Sequence, residues 1–198
     1  MGLSNSIQTG PEAVANGIFW PFLRDRRGGV MLEFAFAMPI LVGLLMGGVE
    51  FARFALVNQK MERVTSFVGD FVARAGALDE ADFDDYFAAA DQLGRPFDLF
   101  DAGNIIVTSV TGEDTGPEVL WQQIGAGHVT EPSLVGVPGD PAVLPLNFNV
   151  DEGEGLVITE VYFDYEPFLL PLMIPAQRLY YQAIYRPRTT AILAMQAD

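Results

Sequence analysis

The sequence predicts an α+β protein with a long N-terminal helix, transmembrane and then amphipathic, followed by a small antiparallel-sheet domain of about four strands. Three observations predict it. An uncharged, mostly apolar run extends over 34–49. Apolar residues at helical spacing then continue over 54–75. From residue 104 onward, β-branched and alternating segments replace the helical pattern. The chain therefore divides into a membrane part and an exported part.

Composition excludes several classes of function. The 198 residues have a formal net charge of -15, and a phosphate-binding surface would need the opposite sign. We therefore expect no nucleic-acid partner. The chain contains no cysteine, so disulfides, thiol nucleophiles and cysteine-ligated metals are excluded. A single histidine, His128, leaves little material for a histidine-based metal site or proton relay.

Three arginines precede the apolar run, at Arg24, Arg26 and Arg27. Basic residues beside a spanning helix stay on the cytoplasmic side, so they predict a cytoplasmic N-terminus and an exported C-terminal part. The predicted segments are a basic leader at 1–28, a transmembrane helix at 29–57, its amphipathic continuation at 58–77 and an exported domain at 78–198. The chain is therefore predicted to cross a membrane once.

The length of the apolar run sets where the spanning segment ends. Sixteen helical residues, Phe34 to Val49, span about 24 Å, against roughly 30 Å of hydrocarbon. The segment is long enough only if it continues to Val57, past Glu50 and Arg53. These two charged residues are three apart and can pair on a helix, and the arginine can also extend toward the headgroups. Pro39 predicts a kink, since it cannot donate to the preceding turn.

The continuation of the helix carries an apolar seam with alternating spacings of three and four residues. Its members are Phe54, Val57, Met61, Val64, Val68, Phe71 and Ala75. Such a seam is typical of a helix packed along one face. Two interpretations stay open: packing against the domain of the same chain, or a helix-mediated oligomer.

The exported part begins with a second helix. Asp79 is its predicted N-cap, residues 83–90 supply an apolar face, and Gly94 with Pro96 ends it. The predicted strands are 105–110, 119–124, 156–165 and 179–185, and the glycine- and proline-rich residues 125–147 are predicted to form a long surface loop.

No pattern in the chain indicates catalysis. Phosphate loops, nucleophile elbows and metal-ligand spacings are all absent from the sequence. His128 is expected on an exposed loop. The acidic stretch DEGEG, residues 151–155, is explained either by a calcium ion or, more simply, by a polar turn before a strand. We therefore expect neither enzymatic activity, nor a cofactor, nor a metal site.

The stretch RRGGVMLEFAFAMPILVGLLMGGVEFARFALVNQKMERVT, residues 26–65, resembles the N-terminal region of TadE-like proteins. These are minor pilins, or pseudopilins, of the tight-adherence (Flp-type) pilus system. The resemblance implies a pilin-like, bitopic protein of the bacterial inner membrane, with its C-terminal domain in the periplasm. It implies two kinds of partner, the other pilus components and a prepilin peptidase. It also implies cleavage after Gly28, which would make Gly29 the first mature residue and place Glu33-Phe34 at positions five and six. A cut after Gly29 would make Glu33 the fourth residue instead.

The chemistry of these residues suits such a role. Glycine offers a peptidase an unobstructed, adaptable backbone. A carboxylate near a helix N-terminus is favoured by the helix dipole, and in a fibre the N-terminal amine of an adjacent subunit could meet Glu33. Alternatively, Glu33 only marks the boundary between membrane and water.

Three functions therefore remain open. The first is a minor pilin or pilus-assembly protein, either incorporated into an extracellular pilus or resident in the membrane. The second is an unprocessed, membrane-anchored periplasmic binding or scaffold module. The third is a secreted enzyme with a removed signal peptide. Arg26 and Arg27 before an apolar run weakly resemble the start of such a signal peptide.

Overall fold

A computed structural model describes residues 27–75, 78–145, 148–169 and 171–188. Arg24 and Arg26 of the predicted topology signal lie outside these residues, as do the side chain of Arg27 and most of the predicted leader. The chain divides into two compact units between Met46 and Gly47.

Helix α1 comprises Arg27–Arg74, 48 residues, and continues through Pro39. Before the division between the units, its valine, leucine, isoleucine, methionine and phenylalanine side chains are each at least 40 % exposed. Within the described part of the chain, α1 is the one helix that is long and apolar enough to cross a membrane. A wholly apolar surface open to its surroundings is what a lipid-facing helix requires.

The second unit contains the remaining elements. They are helix α2 (Glu80–Gly94), the short helix α3 (Leu99–Ala102), and strands β1 (Gly103–Glu113), β2 (Gly116–Ile124), β3 (Gly155–Tyr165) and β4 (Gln177–Tyr185). The strands form one antiparallel sheet in the order β2-β1-β3-β4. The predicted α+β class, with a long helix before a four-stranded antiparallel sheet, is confirmed.

The second part of α1 packs into the core of its own chain. Val57, Met61, Val64 and Val68 are fully buried in a cluster with residues of α2 and the sheet. The predicted seam position Phe71 differs, because Phe71 is 47 % exposed and the fully buried residue beside it is Val72. The reason is geometric: a straight helix has 3.6 residues per turn, so a strict heptad pattern drifts off the buried face over five turns.

Helix α2 begins as its sequence predicts. The side chain of Asp79 accepts a hydrogen bond from the backbone N–H of Asp82, and the Asp82 side chain accepts one from the Asp79 N–H, which completes a capping box. Phe83, Phe87 and Ala90 then face the core. The capped end fixes α2 beside α1 and the sheet.

The long connection between β2 and β3 covers the sheet face opposite to α1. The sequence indicated only a surface loop there, but Val129 and Val135 are buried in small clusters with side chains of β1 and β3. The connection thus contributes to the core, because burying two valines stabilises the sheet face that would otherwise meet water.

Candidate membrane and assembly site

The start of α1 presents the residues of the predicted processing site to the surroundings. Among the described residues, no atom beyond the adjoining helix backbone lies within 4 Å of a Cβ placed on Gly28 or Gly29. Both glycines lie in the first turns of the helix. Glu33 and Phe34 are also exposed, with the phenylalanine at 60 %. All four residues are therefore open with respect to the described part of the chain.

A single buried glutamate, Glu50, closes the other end of the apolar run. Glu50 is 1 % exposed, although its flanking residues on α1 are open. Its carboxylate accepts a hydrogen bond from the hydroxyl of Tyr165 at 2.5 Å. It also accepts backbone N–H bonds from Phe168 at 3.1 Å and from Leu169 at 2.6 Å. Glu50 thus fixes the connection between β3 and β4 to the helix.

The donors around Glu50 match an acceptor with two oxygens. Three donors converge on this one carboxylate, which satisfies them in a region that water does not reach. Burial, and then the hydrogen bond to Glu50, raises the pKa of Tyr165 to about 12. The phenol therefore remains a hydrogen-bond donor throughout the neutral range.

Arg53 contacts the same connection one turn further along α1. Its guanidinium donates to the carbonyl oxygen of Glu166 at 2.5 Å. The guanidinium carbon also lies 5.7 Å from the ring centroid of Phe97, 5.6 Å from that of Tyr165 and 6.0 Å from that of Phe168. A cation over several aromatic faces is favourable and holds the arginine in place. Glu50 and Arg53, which the sequence suggests could pair, thus each contact the β3–β4 connection.

Sequence reasoning missed Tyr165, Phe168 and Leu169 as partners of α1. They lie more than one hundred residues from Glu50, and no local pattern connects them. One signal was present: residues 167–175 read PFLLPLMIP and contain no polar side chain, in a chain with 26 acidic residues. A connection between two strands that is this apolar indicates contact with something other than water.

A second buried carboxylate, Glu160 on β3, is fully buried on the other face of the sheet. It accepts a backbone N–H bond from Leu134 at 3.0 Å, a hydroxyl bond from Tyr180 at 2.9 Å and a short one from Ser133. These bonds hold the β2–β3 connection against the sheet. Burial and the adjacent carboxylate raise the pKa of Tyr180, so this phenol also remains a donor.

The other sequence candidates have simple surroundings. The side chain of His128 is 79 % exposed, with its Nδ1 3.5 Å from a carboxylate oxygen of Asp101. In the acidic stretch 151–155, the backbone forms a turn closed by the Glu154 N–H and the Asp151 carbonyl, and Gly153 adopts a φ of 77°. Across the described ranges, no three histidine, cysteine, aspartate or glutamate residues come together as a metal site.

Residues 28–68 match the family model of TadE-like proteins. The resemblance noted in the sequence is thereby confirmed over this segment. A TadE-like segment indicates a protein associated with the tight-adherence pilus, and it implies association with the membrane and with components of that system. The apolar helix supports single-pass anchoring. The chain has no match among curated proteins or among solved structures.

The TadE-like segment contains the α1 residues of the site, and not their partners on the β3–β4 connection. Gly28, Glu33, Glu50 and Arg53 all lie within it. The partners of Glu50 on the β3–β4 connection lie outside it. The match thus covers the helix that carries the domain, and the sheet is the part of the chain beyond the family model.

Proposed function

We propose that the protein is a minor pilin or pilus-assembly membrane protein of a tight-adherence, type IVc pilus system, processed by a prepilin peptidase. The observation that carries the proposal is the TadE-like match over 28–68, which contains Gly28, Gly29 and Glu33 and extends into the helix core of the exported domain. In this role the helix anchors the protein and the sheet domain is presented outside the membrane.

The exposure of the N-terminal part of α1 supports assembly through this helix. Glu33 and Phe34 are open, so after cleavage a neighbouring subunit could approach them. An adjacent N-terminal amine would offset the charge of Glu33 in surroundings where an isolated carboxylate is costly. Orientation follows from the basic residues before the helix, with the sheet domain periplasmic.

We infer a structural role and no catalytic one. The two carboxylates that are buried among the described residues, Glu50 and Glu160, accept bonds from the loops they hold in place. Each carboxylate accepts hydrogen bonds from donors of its own chain. Carboxylates bound in this way stabilise the domain.

Processing can be tested by co-expressing the full chain with its cognate prepilin peptidase and determining the mass and N-terminal sequence. We expect loss of residues 1–28 and a new N-terminus at Gly29. A chain that starts at Val30 would place the cut after Gly29. An unchanged mass, together with normal piliation in a deletion strain, would rule out the proposal.

Assembly can be tested by substituting Glu33→Ala, with Glu62→Ala as the matched control. Both glutamates are exposed on α1, but only Glu33 lies beside the predicted cut. We expect piliation to fail with Glu33→Ala and to persist with Glu62→Ala, at equal membrane levels of protein. Equal piliation by the two variants would contradict a role for Glu33 in assembly.

A second candidate is an unprocessed, membrane-anchored periplasmic scaffold. The observation that favours it is that the Gly28–Gly29 bond lies inside α1, whereas a peptidase needs an extended backbone. This candidate predicts an intact N-terminus in the native membrane and little effect of Glu33→Ala. N-terminal sequencing of the protein from its own membrane separates the two candidates.

A further inference from the structure

The connection between β3 and β4 has the composition of a membrane segment. Residues 167–175, hereafter the apolar loop, contain only proline, phenylalanine, leucine, methionine and isoleucine, in a protein with a net charge of -15. Three of its large side chains are open: Phe168 is 74 % exposed, Leu172 98 % and Met173 66 %. Contiguous apolar surface of this kind marks a site that meets another molecule or a membrane.

The apolar loop follows α1 toward the apolar part of that helix. Where the loop begins, the ring of Tyr165 lies 5.1 Å from that of Phe54. The backbone N–H of Phe168 then donates to the Glu50 carboxylate. Further along the loop, the sulfur of Met173 lies 3.0 Å from the position that a Cβ on Gly47 would occupy. Seven residues of helix correspond to about 10 Å. The loop thus runs alongside the last turn of the uncharged stretch that ends at Val49.

More than half of the backbone positions of the apolar loop suit surroundings without water. In a bilayer every backbone N–H must find a partner within the protein. Pro167, Pro171 and Pro175 have no N–H to satisfy. The N–H groups of Phe168 and Leu169 are both bonded to Glu50. Five of the nine loop residues therefore expose no free backbone donor to lipid.

Charged groups lie at the base of the loop and none lies at its tip. Arg53 donates to the Glu166 carbonyl and stacks on aromatic rings, one of which belongs to Phe168. Arginines that extend from an apolar stem, and aromatic rings around them, are typical of the layer between hydrocarbon and water. Such a cluster would set a membrane boundary near Arg53, with the apolar loop on the hydrocarbon side.

We propose that the apolar loop inserts into the bilayer beside α1, so that the domain is anchored by the helix and by a second, adjacent lipid contact. The occupant of this surface is lipid. The loop also covers Glu50, which would otherwise present a carboxylate at the end of the apolar run. Two contacts fix the depth and rotation of the sheet domain, which a single flexible helix leaves free.

The absence of cysteine from the sequence gives a direct test. A single Leu172→Cys substitution in the full chain takes one environment-sensitive fluorophore, at a side chain that is 98 % exposed and packs little against the domain. The matched control is Leu134→Cys, because Leu134 is 60 % exposed and adjoins the other buried glutamate. Leu44→Cys, on the apolar part of α1 at 68 % exposure, reports full lipid contact.

The labelled proteins are reconstituted in phosphatidylcholine and phosphatidylglycerol vesicles, with and without lipids brominated along the acyl chain. Quenching by these lipids does not depend on which way the protein inserts. We expect the label at 172 to lose most of its emission, as the label at 44 does, and the label at 134 to lose little. Equal, weak quenching at 172 and 134 would overturn the proposal.

A second measurement separates lipid from a second copy of the chain as the occupant. Diluting the protein with lipid leaves lipid quenching at 172 unchanged if the loop lies in the bilayer. Quenching that is weak at high protein density and rises on dilution would show that another copy covers the loop, and would also overturn the proposal. Neither result depends on cleavage at Gly28 or on pilus assembly, so the proposed function fails or stands separately.

Discussion

The two buried glutamates hold two loops by the same chemistry. Glu50 fixes the apolar loop to α1, and Glu160 fixes the β2–β3 connection to the sheet. Each accepts one tyrosine hydroxyl, from Tyr165 or from Tyr180, and at least one backbone N–H of the loop. In each case the carboxylate replaces water as the acceptor for donors that folding removes from solvent.

The difference lies in what each loop presents outward. The β2–β3 connection turns Val129 and Val135 inward, and its outer surface combines exposed apolar residues such as Leu134 with charged ones such as Glu131. The apolar loop turns Phe168 and Leu172 outward. The comparison teaches that the buried carboxylate fixes a loop in place, while the loop composition sets which medium the loop meets.

The largest effect is expected from Glu50→Leu. This change leaves the Tyr165 hydroxyl and two backbone N–H groups without their acceptor, and we expect it to lower the unfolding free energy by about 3 kcal/mol or more. The measurement is denaturant unfolding in detergent micelles, with limited proteolysis to locate the released segment. Cleavage should appear at the apolar loop while the β2–β3 connection stays protected. Equal cleavage of both would mean that the loops are not held independently.

Glu160→Leu is the reciprocal change, with a somewhat smaller expected effect. The Ser133 hydroxyl can rotate to another acceptor, so we expect a loss of about 2 kcal/mol. Proteolysis should now cut within the β2–β3 connection and spare the apolar loop. If Glu160→Leu lowers the unfolding free energy more than Glu50→Leu does in the same assay, Glu160 and not Glu50 contributes more to stability.

Removing one hydroxyl from each site sharpens the comparison. Tyr165→Phe deletes a fully covered donor, and we expect a loss of about 1 kcal/mol in unfolding free energy. Tyr180 is 37 % exposed, so water can replace its hydroxyl and Tyr180→Phe should cost less. Denaturant unfolding of the two variants in parallel gives the difference. If Tyr180→Phe lowers the unfolding free energy more than Tyr165→Phe does, the explanation by the different exposure of the two tyrosines is wrong.

The last effect appears only at alkaline pH. The pKa of Tyr165 is raised to about 12 by burial and by Glu50, from the ordinary tyrosine value of 10.0. A raised pKa keeps the folded phenol protonated, so its stabilisation is complete below pH 10 and is lost as pH rises toward 12. Unfolding free energy measured across this range should fall less steeply for Tyr165→Phe than for the parent chain. Identical slopes would mean that this phenol does not contribute.

Much of the fold follows from local pattern. The apolar stretch, the capping residue Asp79 and the β-branched segments predicted both long helices and all four strands, because each depends on neighbours within a few residues. The pairing order of the sheet, β2-β1-β3-β4, depends on distant contacts and was not predicted. The same distinction explains the seam, which was placed correctly through Val68 and missed the shift to Val72.

The sequence by itself determined the long apolar helix, the resemblance to TadE-like proteins over 26–65 and the positions of Gly28 and Glu33 near the start of the helix. These properties belong to one continuous helix, whose exposed surface is set by composition. Only the tertiary structure decided the fate of Glu50. Its partners lie more than a hundred residues away, and a carboxylate on an apolar helix is costly until folding brings Tyr165 and the apolar loop over it.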